Sequence, residues 1–503
     1  MLPAILGALL MFQTAGGQGP PAVPDVPNVP VIGETIDVRV VNVEVVATSE
    51  GQLVRGLSSS DFRLRVDGRE VPIEFFTEVE EGTAAASPTS PLPEAEAVGR
   101  SYLVFVDESF SVAKARDVVL ENLERDLSLM GPKDRMAVLA FDGSKMQVLC
   151  PWTSERPTLA AALRDARRRE TRGNQLLAQN RSLEADSRMV GAAGEDIGLE
   201  PQEVAALLET LDARVSPEAR SQLGKTAVAL AGALRGFEVP EGRKVMLLLS
   251  GGWSLGVAPH LYGPVVSAAN QLGYTIYPVD VANPTGRTLK ALDQLAARTG
   301  GKVANSVRQD VFRTVVADSG SYYWLGFTPS WKADDRQHSI QVESRRPGVK
   351  VRARTGFPDL SRRAETLWKA ESVLLFGGRE SDRRLKIVLG KERSLGRQEV
   401  ELPVTVGVPV EALALTPSGR GYIAEAPLAV AALDEKGGRA EIPTSKLRVT
   451  VKEPPKAGGF ARFQTTLRLR RAPQRLVFTV RDEVNGITIW QEVEVLQTGK
   501  GKR

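Results

Sequence analysis

Residues 100–319 alternate short apolar runs with amphipathic stretches. Tyr102–Val106 is β-branched and aromatic, reads as a strand buried on both faces, and stops abruptly at Asp107. From Ala113 to Met130 apolar residues recur at helical spacing, until Gly131-Pro132 ends the pattern. Arg135–Phe141 predicts a second strand and Met146–Trp152 a third, at an edge; a helix starts at Thr158. Residues 171–223 are polar, charged and helical in pattern, and read as a helical insertion. Beyond it come an Ala/Leu-rich helix (Thr226–Gly236), a buried strand (Lys244–Leu249), a helix (Tyr262–Leu272) and a strand (Tyr274–Val279). A helix (Leu289–Thr299) and a short strand at Lys302-Val303-Ala304 complete the alternation. Strand and helix in turn predict an α/β domain, a doubly wound sheet covered on both faces.

On either side the period falls to two. Residues 33–80 hold alternating runs around a hairpin turn at Asp67-Gly68, and residues 320–357 hold three more strands. Each piece is too small to bury a core alone, so the expectation is one sandwich with the α/β domain inserted. Residues 81–99, rich in Ala, Ser, Pro and Glu, read as a linker. Residues 358–503 begin with a short helix around Arg362–Leu375 and continue as regular strands with turn signals such as Asn485-Gly486. That spacing predicts a C-terminal β-sandwich of immunoglobulin-like type, and so a multidomain chain.

Composition removes several function classes. The net charge of +4 is spread over 503 residues, and no Lys/Arg block with interleaved aromatics marks a nucleic-acid groove. One cysteine, Cys150, excludes an internal disulfide framework and a cysteine zinc site, and two histidines argue against a His-rich catalytic metal centre. Met1–Ala15 is an apolar core followed by small residues, so residues 1–17 read as a signal peptide, without the usual basic n-region. A Pro-rich spacer follows at 18–32. Elsewhere no apolar run reaches the ~18 residues of a membrane span. The expectation is an exported protein: secreted, periplasmic or associated with the cell envelope.

Candidate chemistry lies where the first strand ends. Asp107-Glu108-Ser109-Phe110-Ser111 has the pattern D-x-S-x-S, one carboxylate and two hydroxyls. Such hard oxygen donors suit Mg²⁺, Mn²⁺ or Ca²⁺ rather than zinc. This loop resembles the metal-ion-dependent adhesion site of von Willebrand factor A (VWA) domains. GQLVRGLSSSDFRLRVDGREVPIEFF, before the domain, and SYYWLGFTPSWKADDRQHSIQVESRRPGVKVRARTGF, after it, resemble segments flanking VWA-related domains in bacterial proteins. The resemblance implies Asp107, Ser109 and Ser111 as metal ligands for Mg²⁺ or Mn²⁺, completed by a threonine and a second acid. Thr171, in ETRGN, is the candidate threonine, with a plain surface residue as the alternative. The acid's place, after Lys244–Leu249, is taken by Gly251, so the site is degenerate, with Glu108 as a nearby charge and Gly251 and Gly252 on the ligand-binding rim. Alternatively, Ser109 and Ser111 cap the helix that follows, and Asp107 accepts backbone N–H bonds at its positive end.

A rival lies in the same rim. Gly252-Trp253-Ser254-Leu255-Gly256 matches G-x-S-x-G after a buried strand, with Asp280 and His338 following in the order of a serine hydrolase. Against it, His338 falls in an alternating run that reads as a strand, and no glycine-rich oxyanion loop precedes the elbow. The sequence therefore favours recognition of a protein or surface ligand over catalysis, with a serine hydrolase through Ser254 as the competing class.

Overall fold

The computed structural model describes residues 40–175, 217–237, 242–251, 258–281, 290–305, 310–376, 385–418, 421–434, 439–442, 447–453, 458–482, 484 and 487–495. The expected signal peptide and spacer, most of the insertion, and Gly252 and Ser254 of the rim lie outside them.

The central sheet contains β1 (Arg100–Asp107), β2 (Arg135–Phe141), β3 (Met146–Thr153), β4 (Arg243–Ser250), β5 (Tyr274–Asp280) and β6 (Ala304–Asn305). Its order is β6-β5-β4-β1-β2-β3, all neighbours parallel except the edge strand β3, which runs antiparallel to β2. Among the described residues, six helices accompany it: α1 (Ala113–Arg125), α2 (Arg156–Arg168), α3 (Pro217–Gly236), α4 (Ala258–Leu272), α5 (Lys290–Arg298) and α6 (Val311–Gly320). Successive side chains of a strand point to opposite faces, which explains why the apolar runs are continuous. Tyr102, Val104, Val106, Leu247 and Leu249 pack against Val119 of α1, Leu163 of α2 and Phe312 of α6. Leu103, Phe105, Met246 and Leu248 face the other way, against Leu230 of α3, Val265 of α4 and Leu295 of α5. Burying a side chain such as Phe105 contributes roughly 1.5–3 kcal/mol. Both layers together fix β1 at the centre.

Two helices of this domain depart most from the pattern's expectation. The helix expected from Thr226 begins at Pro217, so the end of the expected insertion belongs to α3. Helix α6 is not among the elements predicted: Val311, Thr314, Val315 and Val316 are β-branched and weaken its local signal. Burial of Val311, Phe312 and Val315 in the core holds it instead.

The β segments before and after this domain pair with each other. Val41–Val45 runs antiparallel to Tyr323–Phe327, and Tyr322–Gly326 of the same strand pairs with Phe75–Val79. Phe62–Val66 pairs with Ile340–Ser344 in a second sheet. Val43, Val45, Phe62, Leu64, Phe76, Leu325 and Ile340 share one core between the two sheets. Residues 81–99, expected as a linker, carry the short strand Thr83–Ala84, which extends the first sheet beside Val79–Glu80.

Past residue 358, α7 (Arg362–Phe376) precedes antiparallel sheets with a core that includes Val404, Val406, Val430, Leu467 and Phe478. Helix α7 packs Ala370, Val373 and Leu374 on Ala431 and Val477. Its other contacts reach the end of α3: Ser372 Oγ donates to Gly236 O (2.8 Å), and the Arg235 guanidinium lies 4.1 Å over the Trp368 ring. Among the described residues no helix is long and apolar enough to cross a membrane. The described chain therefore combines a mixed α/β sheet with several antiparallel sheets.

Candidate functional site

The carboxyl ends of β1 and β4 meet at Asp107. Register places Val106 beside Leu249, so the next residues, Asp107 and Ser250, become neighbours. Asp107 is fully buried; its Oδ2 accepts the Ser250 hydroxyl (2.7 Å) and its Oδ1 the Ser109 N–H (3.0 Å). Burial disfavours the charged form and pushes the Asp107 carboxyl up to about 7, even though Ser250, the N–H groups of Ser109 and Phe110, and the Thr226 hydroxyl all favour the carboxylate. The Ser111 hydroxyl donates back to the Asp107 carbonyl, closing the loop on itself. Ser109 Oγ accepts from Gln222 Nε2 (3.1 Å).

The capping alternative fails on geometry. Helix α1 starts at Ala113, its N-cap is Val112, and no side chain caps it. The Val112 N–H instead donates to Val281 O (3.0 Å), which anchors the helix start to the end of β5. Ser109 and Ser111 serve the loop, and the N–H bonds that Asp107 receives come from that same loop.

Glu108 turns away from Asp107. Its carboxylate is buried and ion-paired with Arg169, whose Nη2 lies 3.3 Å from Oε2. Its carbonyl accepts the Arg172 N–H (2.8 Å). The Thr171 segment therefore does lie over the D-x-S-x-S loop: a Cβ on Gly173 would fall 2.2 Å from Ser111 O. Thr171 itself is half-buried there, and its neighbours make these contacts. The threonine that faces Asp107 is Thr226, fully buried on α3, four residues and one turn after Gln222. Its Oγ1 is within reach to favour the Asp107 charge, yet forms no hydrogen bond of ordinary length. Gly251, buried after Ser250, brings no carboxylate, as expected.

Thr226, Ser250 and Gln222 are the site residues that sequence reasoning missed. Ser250 carried a usable signal, since it ends the run KVMLLL as Asp107 ends YLVFV. Thr226 did not, because residues 171–223 separate it from the position where a threonine was sought.

Beside Ser109 opens a cavity of about 560 Å³, lined by Arg172, Gln175, Glu218, Ser221, Gln222 and Lys225. At the Asp107 loop itself the donor set is one carboxylate and hydroxyls from Ser109, Ser111, Thr226 and Ser250, while Glu218 lines the cavity beside Ser109. An oxygen-only set fits a hard divalent cation, and a buried Thr226 oxygen with no hydrogen bond is a donor in waiting. A single carboxylate leaves a dication one charge short of neutral.

The hydrolase residues are not assembled in what is described. His338 lies on strand Gln337–Ser344 of the flanking sandwich, with Nδ1 bonded to Asp67 Oδ2 (2.7 Å). Asp280, buried at the end of β5, is the register partner of Ser250.

No protein-family model matches the chain, and no curated protein matches it. Solved structures with some likeness include the vWF domain of the type V pili tip protein Mfa5 from Porphyromonas gingivalis, 12% identical with TM-score 0.16 over 31% of this chain. The chain covers only 38% of that structure's length. The SpRpn10 VWA domain is 10% identical with TM-score 0.16, over 39% of this chain and 95% of that one. The PilB minor pilin from Streptococcus sanguinis is 8% identical with TM-score 0.25, over 56% of this chain and 87% of that one. Likeness at these TM-scores carries no argument about function.

Proposed function

We propose that the chain is an exported VWA-related protein whose doubly wound central sheet binds a protein or surface ligand at its carboxyl rim. The observation that carries this reading is the convergence of Asp107, Ser109, Ser111, Thr226 and Ser250 at the end of β1 and β4, beneath a polar cavity. Asp107 is the anionic ligand of a weak Mg²⁺ or Mn²⁺ site; Ser109, Ser111 and Thr226 are the neutral ones. One carboxylate binds such an ion poorly. An acidic group of the partner, admitted past Arg172 and Lys225, supplies the missing charge.

Titration calorimetry with Mn²⁺ and Mg²⁺ on wild type and Asp107→Ala tests the ion, and crosslinking in an exporting host tests the partner. The expected result is weak Mg²⁺ binding by wild type only, and a crosslinked partner lost in Asp107→Ala. Fluorophosphonate labelling abolished by Ser254→Ala would overturn recognition in favour of hydrolysis. The pairing of His338 with Asp67 supports the expectation that no such labelling occurs.

A further inference from the structure

A second group of ligand-type side chains lies in the flanking sandwich, away from the rim. One ring nitrogen of His338 and one carboxylate oxygen from each of Asp334 and Asp359 lie within 4.8 Å of one another. Nδ1 of His338 is already committed to Asp67 Oδ2 at 2.7 Å. Asp67 is in turn held by the Ser339 N–H (2.8 Å) and hydroxyl (3.3 Å), so it accepts and Nδ1–H donates. In the neutral ring this leaves the lone pair on Nε2. Nε2 is buried and makes no hydrogen bond to any described residue. The ring stacks on Trp331 at 4.1 Å with planes 6° apart, which holds its plane.

We propose that Asp334, His338 and Asp359 bind a first-row divalent cation of the zinc class, with His338 Nε2 and the two carboxylates as ligands. A carboxylate on the far nitrogen is the usual partner of a metal-bound histidine: it orients the ring and raises its basicity. Asp359 is buried, and its Oδ2 accepts the Ala333 N–H (2.6 Å). Asp334 is more exposed: Oδ1 accepts the Arg336 N–H (3.2 Å) and Oδ2 pairs with Arg336 Nε (3.2 Å). An ion pair this exposed is worth little, so a cation can displace it. Mixed nitrogen and carboxylate donors, three in number, suit zinc with a water in the fourth position. This differs from the oxygen-only set around Asp107. Bound there, the ion would clasp the loop after strand Tyr322–Phe327 to the residues leading into α7.

The test is Co²⁺ titration of the metal-stripped full-length protein, followed by its visible absorption, with Zn²⁺ as competitor. Wild type and Asp107→Ala should both show a saturable band that Zn²⁺ abolishes. His338→Gln should lose it, and Asp334→Asn should bind at least about tenfold more weakly. Because Asp334 is the more exposed ligand, its variant keeps the test valid even if His338→Gln fails to fold. With only two histidines in the chain, imidazole nitrogen NMR should show one ring shifting at Nε2 on Zn²⁺ addition. No saturable band in wild type, or a band unchanged in Asp334→Asn and His338→Gln, overturns the proposal.

Discussion

Replacing Asp107 by Asn isolates the energetic cost of the buried acid. The side chain keeps its shape, its oxygen still accepts the Ser109 N–H, and its amide can donate to Ser250 Oγ, which can accept as well as donate. Only the titration is removed. Burial raises this carboxyl from 3.8 to about 7, so the folded state holds its proton over a range where the unfolded chain has lost it. The stability contributed is fully present below about pH 3.8 and is lost as pH rises through about 7. Some three units at about 1.36 kcal/mol each amount to about 4 kcal/mol, of which about 2.5 kcal/mol falls between about pH 5 and about pH 8. Urea unfolding in EDTA at those two pH values should therefore show wild type losing about 2.5 kcal/mol more than Asp107→Asn. Equal losses in the two proteins would refute the premise that the acid is both buried and uncompensated. Mg²⁺ in excess at the higher pH should recover part of the difference in wild type and none in the variant.

Other substitutions probe the surroundings of the same loop. Gly143→Ala sets a Cβ 2.6 Å from both Ser109 Oγ and Gln222 Nε2 at a φ of +95°, and should cost about 1–3 kcal/mol in urea unfolding. Arg169→Ala strands the buried Glu108 charge and should cost about 3–5 kcal/mol at neutral pH, read from the same transition. Thr226→Val removes a hydroxyl that makes no hydrogen bond of ordinary length, so stability in EDTA should change by less than about 1 kcal/mol while calorimetric Mg²⁺ binding weakens. Gly236→Ala drives a Cβ to 2.5 Å from the Phe376 ring and should cost about 1–3 kcal/mol by thermal unfolding.

How much was legible in the chain follows from how local each signal is. Tyr102–Val106 and Lys244–Leu249 announce themselves because a strand buried on both faces must be apolar at every position. The D-x-S-x-S loop was visible because its three residues are contiguous. What completes it was not, since Thr226 and Ser250 arrive from elements more than a hundred residues away. The same limit applies to Val41–Val45, whose alternation marks a strand but cannot name Tyr323–Phe327 as its neighbour. His338 was visible as a strand residue. Its pairing with Asp67 comes from strands far apart in sequence, and no spacing rule contains it.

Helix α3 has a mechanical meaning. Its 20 residues make a rod about 30 Å long. Gln222 and Thr226 project from one part of it toward the buried acid, while its far end has no slack: Gly236 is jammed under Phe376 and tied to Ser372. Helix α7 passes that contact on to Ala431 and Val477. A shift of the rod near Gln222 would therefore be met at its other end by α7 and, through it, by the sheet that holds Ala431 and Val477.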